Sequence, residues 1–132
     1  MIRILQPPGW ARPRGYSNGI AARGGTTVYI AGQVAFNAQG VLEEGTFAGQ
    51  FRQTLSNTLA VLAEAGGRPE HIVRMTWYVT DKKEYFGAIN QVGAAYRELV
   101  GKHYPAMAVL QVAGLIEDGA KLEIETTAVI PD

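Results

Sequence analysis

Two glutamates stand two residues apart in the stretch Lys121–Ile130, where Leu122, Ile124 and Thr126 alternate with Glu123, Glu125 and Thr127. Alternation of this kind marks a strand with one face buried, so both carboxylates project from the same side of a sheet. Such a glutamate is a solvated strand position in the ordinary case. Where its face is covered, it stands near low-dielectric surroundings and becomes a candidate for proton transfer. The preceding stretch, Pro105–Val112, supplies apolar surroundings. Ala106, Met107, Ala108, Val109 and Leu110 form a strand that is apolar on both faces, the pattern of a strand covered from two sides. Two further polar groups can take part. The Tyr16 phenol opens a strand after a proline-rich arm, where a tyrosine otherwise serves as amphipathic packing. The Asn90 carboxamide falls in the middle of a helix, a locally unfavourable place for asparagine unless it is solvated or used. Arg12, Arg14, Arg23, Lys82 and Lys83 read as surface charge.

Composition removes other chemistries. Lysine plus arginine balances aspartate plus glutamate at 12 each in 132 residues, so no global field draws nucleic acid or an anionic membrane. With no cysteine there are no disulfides, thiol nucleophiles or thiolate-held metals. His71 and His103 are too far apart in sequence to show a metal-ligand spacing. The serines, Ser17 and Ser56, sit in no nucleophile elbow. The glycines at 15, 19, 24 and 25 match neither a P-loop nor a dinucleotide-binding turn. Catalysis, if any, is therefore expected to be noncovalent acid–base work or to come from positioning, with no metal or cofactor required. No segment is long and apolar enough to span a bilayer or to act as a secretory signal, and the expected compartment is the cytoplasm.

The elements that must position these residues fill one domain over residues 1–132. Ile2–Leu5 is a short strand, and Pro7, Pro8, Gly9 and Pro13 make the following arm irregular. Tyr16–Arg23 and Thr26–Val34, joined by Gly24 and Gly25, are predicted to form a hairpin. A helix begins after an N-cap at Thr46, buries Phe47, Phe51, Leu55, Leu59 and Leu62, and ends at Gly66 and Gly67. On that helix Gln50, Gln53, Asn57 and Glu64 lie off the apolar stripe. Ile72–Asp81 alternates as a strand, Lys83–Val100 is a second helix, and the two C-terminal strands follow. This order predicts an α+β fold, a mixed sheet with two helices packed on one face. The other face is left bare although two of its strands are apolar on both sides. Self-association through the sheet, with pockets between subunits, resolves that conflict.

Several segments in order resemble the RidA/YjgF family of enamine and imine deaminases, also known as the endoribonuclease L-PSP group. They are residues 14–19 (RGYSNG), 28–33 (VYIAGQ), 54–59 (TLSNTL) with Glu64 to Gly66, Ile72 and Val73 leading to Val79–Asp81, Asn90, Pro105 and Ala106, and 121–129 (KLEIETTAV). The resemblance spans nearly the whole chain. It implies a chorismate-mutase-like homotrimer with sheets packed inward and three intersubunit clefts. It also implies hydrolysis of an imine to a carbonyl compound and ammonia. Carried over by position, it singles out Glu125 rather than Glu123 as the water-orienting carboxylate, and it places Tyr16, Ala31, Asn90, Met107 and Val109 around a small-molecule substrate.

One position departs from the family's pattern. Deaminases of the group carry an arginine after Pro-Ala to grip a substrate carboxylate, and Met107 stands there instead. A thioether offers no donor for a carboxylate, whereas a guanidinium offers a bidentate fork. Either another cation takes that role, with Arg12, Arg14 or Arg23 of the partner subunit as candidates, or the substrate is less charged and more apolar. A noncatalytic small-molecule-binding trimer is the alternative from a different class. RNA cleavage, the group's older label, fits the neutral charge and the missing basic aromatic patch least well.

Overall fold

The computed structural model describes all 132 residues. Its strands are β1 (Ile2–Leu5), β2 (Gly19–Ala22), β3 (Thr26–Gln33), β4 (Ile72–Val79), β5 (Ala106–Gln111) and β6 (Leu122–Ile130). Its helices are α1 (Phe47–Glu64), α2 (Lys82–Gly87) and α3 (Ile89–Leu99). Four strands form a mixed sheet in the order β3-β6-β4-β5. The first two pairings are antiparallel and β4–β5 is parallel. The crossover between β4 and β5 is the α2–α3 segment, the kind of connection a parallel pair requires. Both helical layers pack on one face, as the sequence order implies. The core joins Phe47, Phe51, Leu55 and Leu62 of α1 and Val92, Ala95 and Tyr96 of α3 to Met75, Trp77, Leu122 and Ile124 of the sheet.

α1 follows its expected signals closely. The Thr46 hydroxyl accepts from the Gly49 amide at 3.0 Å, and at the far end the Gly67 amide donates to the Leu62 carbonyl with Gly66 at φ +79°. Its polar residues are used, however. Gln50 is fully buried: its Nε2 donates to the Glu44 and Gly119 carbonyls at 3.0 and 2.9 Å, and its Oε1 accepts from the Lys121 amide at 2.8 Å. Asn57 donates to the carbonyls of Val34 and Phe36 at 3.0 and 2.8 Å. The side of α1 that lies off the apolar stripe thus ties down the loop after β3 and the entry to β6.

Two local expectations change, and the bare sheet face is observed. The hairpin does not form, since β2 pairs antiparallel with β1 in a separate two-stranded sheet while β3 pairs with β6. The cause lies at Gly24 and Gly25, both at positive φ. A Cβ on Gly25 would stand 2.1 Å from the Ile130 carbonyl oxygen, so the turn packs on the end of β6 and steers β2 away from β3. The second helix is interrupted at Ala88, just after Gly87, which moves Asn90 from mid-helix to the first turn of α3. The strands read as apolar on both faces are covered on only one within a single chain. On β3 Ile30 is buried while Tyr29 is 81% exposed, and on β5 Leu110 is 45% exposed.

Candidate functional site

The strand register decides what each candidate can reach. Met75, Trp77 and Val79 of β4 point into the helical layer, and their parallel partners Met107, Val109 and Gln111 share that side of β5. On β6, Leu122, Ile124 and Thr126 are buried on this same side, so Glu123, Glu125 and Thr127 lie on the opposite, open face beside Tyr78, Thr76 and Arg74. Met107 and Glu125 are therefore on opposite sides of one sheet.

On the helical side, a cleft of about 380 Å³ lies between β5, α3 and the N-terminal arm. Its walls are mostly aromatic and aliphatic: Trp77, Tyr85, Tyr96, Tyr104, Met107 and Val109, with Ile89, Val92 and Gly93 from α3. Aromatic contacts hold this wall. Tyr96 and Tyr104 are stacked with ring centres 5.6 Å apart, and Trp77 lies against both Tyr96 and Phe51. The Tyr96 hydroxyl donates to the His103 carbonyl at 2.6 Å, and burial, reinforced by Tyr104, pushes its pKa well above the ordinary tyrosine value. Burial likewise raises Tyr85. The Trp77 indole N–H is buried without an acceptor.

The arm completes the cleft. The Ser17 amide donates to the Pro105 carbonyl at 3.0 Å, its hydroxyl donates to the Tyr104 carbonyl, and Ser17 bridges Ala106 in parallel register. That clip sets the adjacent Tyr16 and Arg14 over the opening. Of the residues singled out in sequence, Tyr16, Met107 and Val109 therefore share this cleft. Asn90 is exposed, makes no side-chain hydrogen bond and lies outside the lining. Arg97, which sequence reasoning passed over, does line it.

On the open face, Ala31 and Glu125 border a depression of about 440 Å³ with Tyr29, Arg74, Thr76 and Thr127. Here β3 carries a bulge. Ile30 opposes Thr126 and Gln33 opposes Ile124, so Ala31 and Gly32 together oppose Glu125. The two carboxylates differ in setting. Glu125 is exposed and accepts from the Tyr78 hydroxyl at 3.3 Å. Glu123 is half-buried and its carboxylate presses on Gly32, where a Cβ would lie 2.2 Å from Glu123 Oε2. The Tyr78 phenol is held above its ordinary pKa chiefly by the charge of Glu125, then by burial and the hydrogen bond, with a smaller push from Glu123. Glu123 is a second residue that sequence reasoning set aside. Its signal was Gly32, a glycine inside a strand, which marks a bulge or a close approach. No group of three or more His, Cys, Asp or Glu is placed to hold a metal ion, and no helix is long and apolar enough to cross a membrane.

Comparison with known proteins agrees with this architecture. Residues 10–130 match the family model described as endoribonuclease L-PSP. The chain is 30% identical over 130 residues to human 2-iminobutanoate/2-iminopropanoate deaminase, covering 98% of this chain and 88% of that protein. It is 34% identical over 133 residues to a RutC family protein of Synechocystis, covering 99% and 96%. Among solved structures, YyfB of Yersinia pestis, a protein of the conserved Rid family, superposes with a TM-score of 0.84 at 34% identity, covering 98% of each chain. With the fold, the full-length matches and the motif order in agreement, the chain belongs to the RidA/YjgF family, the endoribonuclease L-PSP group.

Proposed function

We propose that the protein hydrolyses imines, through a site assembled between copies of the chain in a homotrimer. The observation that carries this reading is the carboxylate pair at the β3 bulge, in a chain related to a named imine deaminase. The carboxylates and the aromatic cleft occupy opposite sides of one sheet, so a single chain cannot present both to one small substrate. Packing the open face of one subunit near the arm and β5 of the next brings them together. It also covers Tyr29 and Leu110, which are exposed in the single chain.

In this mechanism a carboxylate accepts a proton from water as the water oxygen bonds to the imine carbon. The C=N π electrons pass to nitrogen, which takes that proton back from the carboxylate to give a neutral carbinolamine. The carboxylate then accepts the carbinolamine hydroxyl proton and delivers it to the amino nitrogen as the C–N bond breaks and the C=O bond forms, and the products are a carbonyl compound and ammonia. Glu125 is the residue that the family resemblance selects. The setting favours its neighbour: Glu123 is half-buried on the backbone of the bulge, whereas Glu125 is exposed and engaged by Tyr78. We therefore assign water handling to Glu123, with Glu125 and Tyr78 as the polar flank.

The test is hydrolysis of a panel of imines generated in place from amino acids, with Glu123→Gln and Glu125→Gln compared with the parent. A loss on the order of 100-fold for Glu123→Gln, with a small change for Glu125→Gln, supports the assignment. The reverse pattern returns the role to Glu125. Equal rates for all three proteins would remove both carboxylates from the mechanism. Binding in the cleft with no turnover on any imine would make the protein a noncatalytic binder. Light scattering on the same samples tests the trimer.

A further inference from the structure

We propose that Arg14 and Arg97 form the anion clamp of the aromatic cleft, and that its ligand is a carboxylate carrying a bulky aromatic or branched body. For the identity of that ligand as a 2-imino acid, the proposal rests on the imine-hydrolase reading above. The family's usual guanidinium is absent at Met107. Met107 instead lines an apolar wall with Trp77, Tyr96 and Tyr104, leaving room for a body larger than a short alkyl chain.

Charge distribution carries the argument. The cleft is lined by two arginines and no carboxylate. A smaller adjoining pocket, which shares Tyr16 and Tyr104 with it, is lined by Arg12, Lys102 and His103, again with no carboxylate. In a chain with 12 cationic and 12 acidic residues, this side is locally positive, and a concave apolar site focuses that field on an incoming anion. Neither guanidinium is already neutralised. The ion pairs of the chain are Arg52–Glu98, Arg68–Glu70 and Lys121–Glu84, and neither Arg14 nor Arg97 donates a side-chain hydrogen bond.

Both arginines also stand on the wall of the cleft. Arg14 sits beside Gly15, at φ +79°, in the arm that Ser17 clips to β5. Arg97 stands in the last turn of α3, and its Nη1 lies back along the helix only 3.3 Å from where a Cβ on Gly93 would be. Gly93 lines the cleft and is otherwise an unfavourable residue within a helix, so its missing side chain makes way for the guanidinium. A carboxylate at the opening would meet one donor fork from the arm and one from α3, and its apolar body would point inward.

The experiment is calorimetric binding of three probes to the purified protein: 3-phenyl-2-oxopropanoate, the neutral ketone that is its methyl ester, and the short acid 2-oxobutanoate. Arg14→Gln, Arg97→Gln and the control Arg68→Gln, at an exposed residue paired with Glu70 outside both pockets, are measured alongside. The phenyl acid is expected to bind tightest, to weaken roughly 10- to 100-fold in either cleft variant, and to be unchanged in the control. Weakening of the same probe with rising salt is expected as well. Equal affinity for the acid and the neutral ketone, or no change in both cleft variants, would overturn the clamp. Because binding is read without turnover, a protein inactive on every imine but with an arginine-dependent phenyl acid site contradicts only the hydrolase reading. An active protein with no such dependence contradicts only the clamp.

Discussion

Replacing Gly32 by alanine is a sharp perturbation of the carboxylate face because it moves one side chain and little else. A Cβ at this position would stand 2.2 Å from Glu123 Oε2 and 2.8 Å from its Cδ, whereas ordinary contact begins near 3.4 Å. The carboxylate must therefore retreat by about 1.2 Å, the difference between 3.4 and 2.2. Gly32 does not occupy the left-handed region, so alanine is conformationally allowed. The colliding atoms are the free end of a flexible side chain, which can swing away without disturbing the β3–β6 pairing. Stability is expected to stay within about 1 kcal/mol of the parent. Displacing a reacting group by about 1 Å costs on the order of 100-fold in rate, so kcat on the best imine of the panel is expected to fall by about that factor. Affinity for 3-phenyl-2-oxopropanoate in the cleft should hardly change. Thermal melts at fixed protomer concentration and steady-state kinetics on the same preparation provide the reading. A stable variant with full kcat would show that the Glu123 carboxylate is not positioned against substrate, and the reasoning from the bulge would fall with it.

Gln50→Leu is expected to destabilise the fold by roughly 3 kcal/mol or more, since it strips partners from two carbonyls and one amide at about 1–3 kcal/mol each; a denaturant midpoint barely moved from the parent would mean that water replaces them. Tyr96 gives a pH dependence. Its folded pKa is raised while an unfolded tyrosine ionises near ~10, so its contribution is intact below that pH and is lost as pH rises further. The slope approaches about 1.4 kcal/mol per pH unit, and Tyr96→Phe should flatten the alkaline part of a stability profile relative to the parent. Met107→Arg should improve turnover of short carboxylated imines and weaken binding of 3-phenyl-2-oxopropanoate, because the long side chain fills the space beside Trp77 and adds a cation; no gain on the short substrates would mean that the cleft differs from the family pattern beyond this position.

Much of the framework was legible because its signals are local. The Phe47–Leu62 stripe with its Thr46 cap and terminal glycines defines α1 without tertiary information, and the parity of residues 122–127 places Glu123 and Glu125 on one face. What was not legible depends on partners far along the chain. Gly24 and Gly25 look alike in a hairpin and in a turn that abuts Ile130, and only the β1–β2 and β3–β6 pairings separate the two. Gln50 sits beside an apolar stripe, but its acceptor and donor at Gly119 and Lys121 lie 69 and 71 residues away. The interruption at Ala88 had a local cue in Gly87, a poor helix former. The split of the site was hidden for a different reason. Alternation gives the parity of β5 and of β6 separately, and only the register across β4 shows that Met107 and the glutamates face opposite ways. Arg97 had no signal of its own, because an arginine in a helix's last turn is an ordinary partner for the helix dipole.

The clip between Ser17 and the start of β5 matters beyond the positioning of Tyr16. β5 is an edge strand, and an unpaired edge is a template on which a second chain can extend the sheet without limit. The Ser17 bridge occupies its first residue, and the Gln111 side chain turns back at its last to accept from the Lys82 amide at 2.8 Å. The arm is thus a guard against uncontrolled polymerisation as well as a wall of the cleft. Proteolytic trimming past Ser17, or a fusion that pulls the arm away, is expected to lower solubility together with the ligand affinity that Arg14 provides.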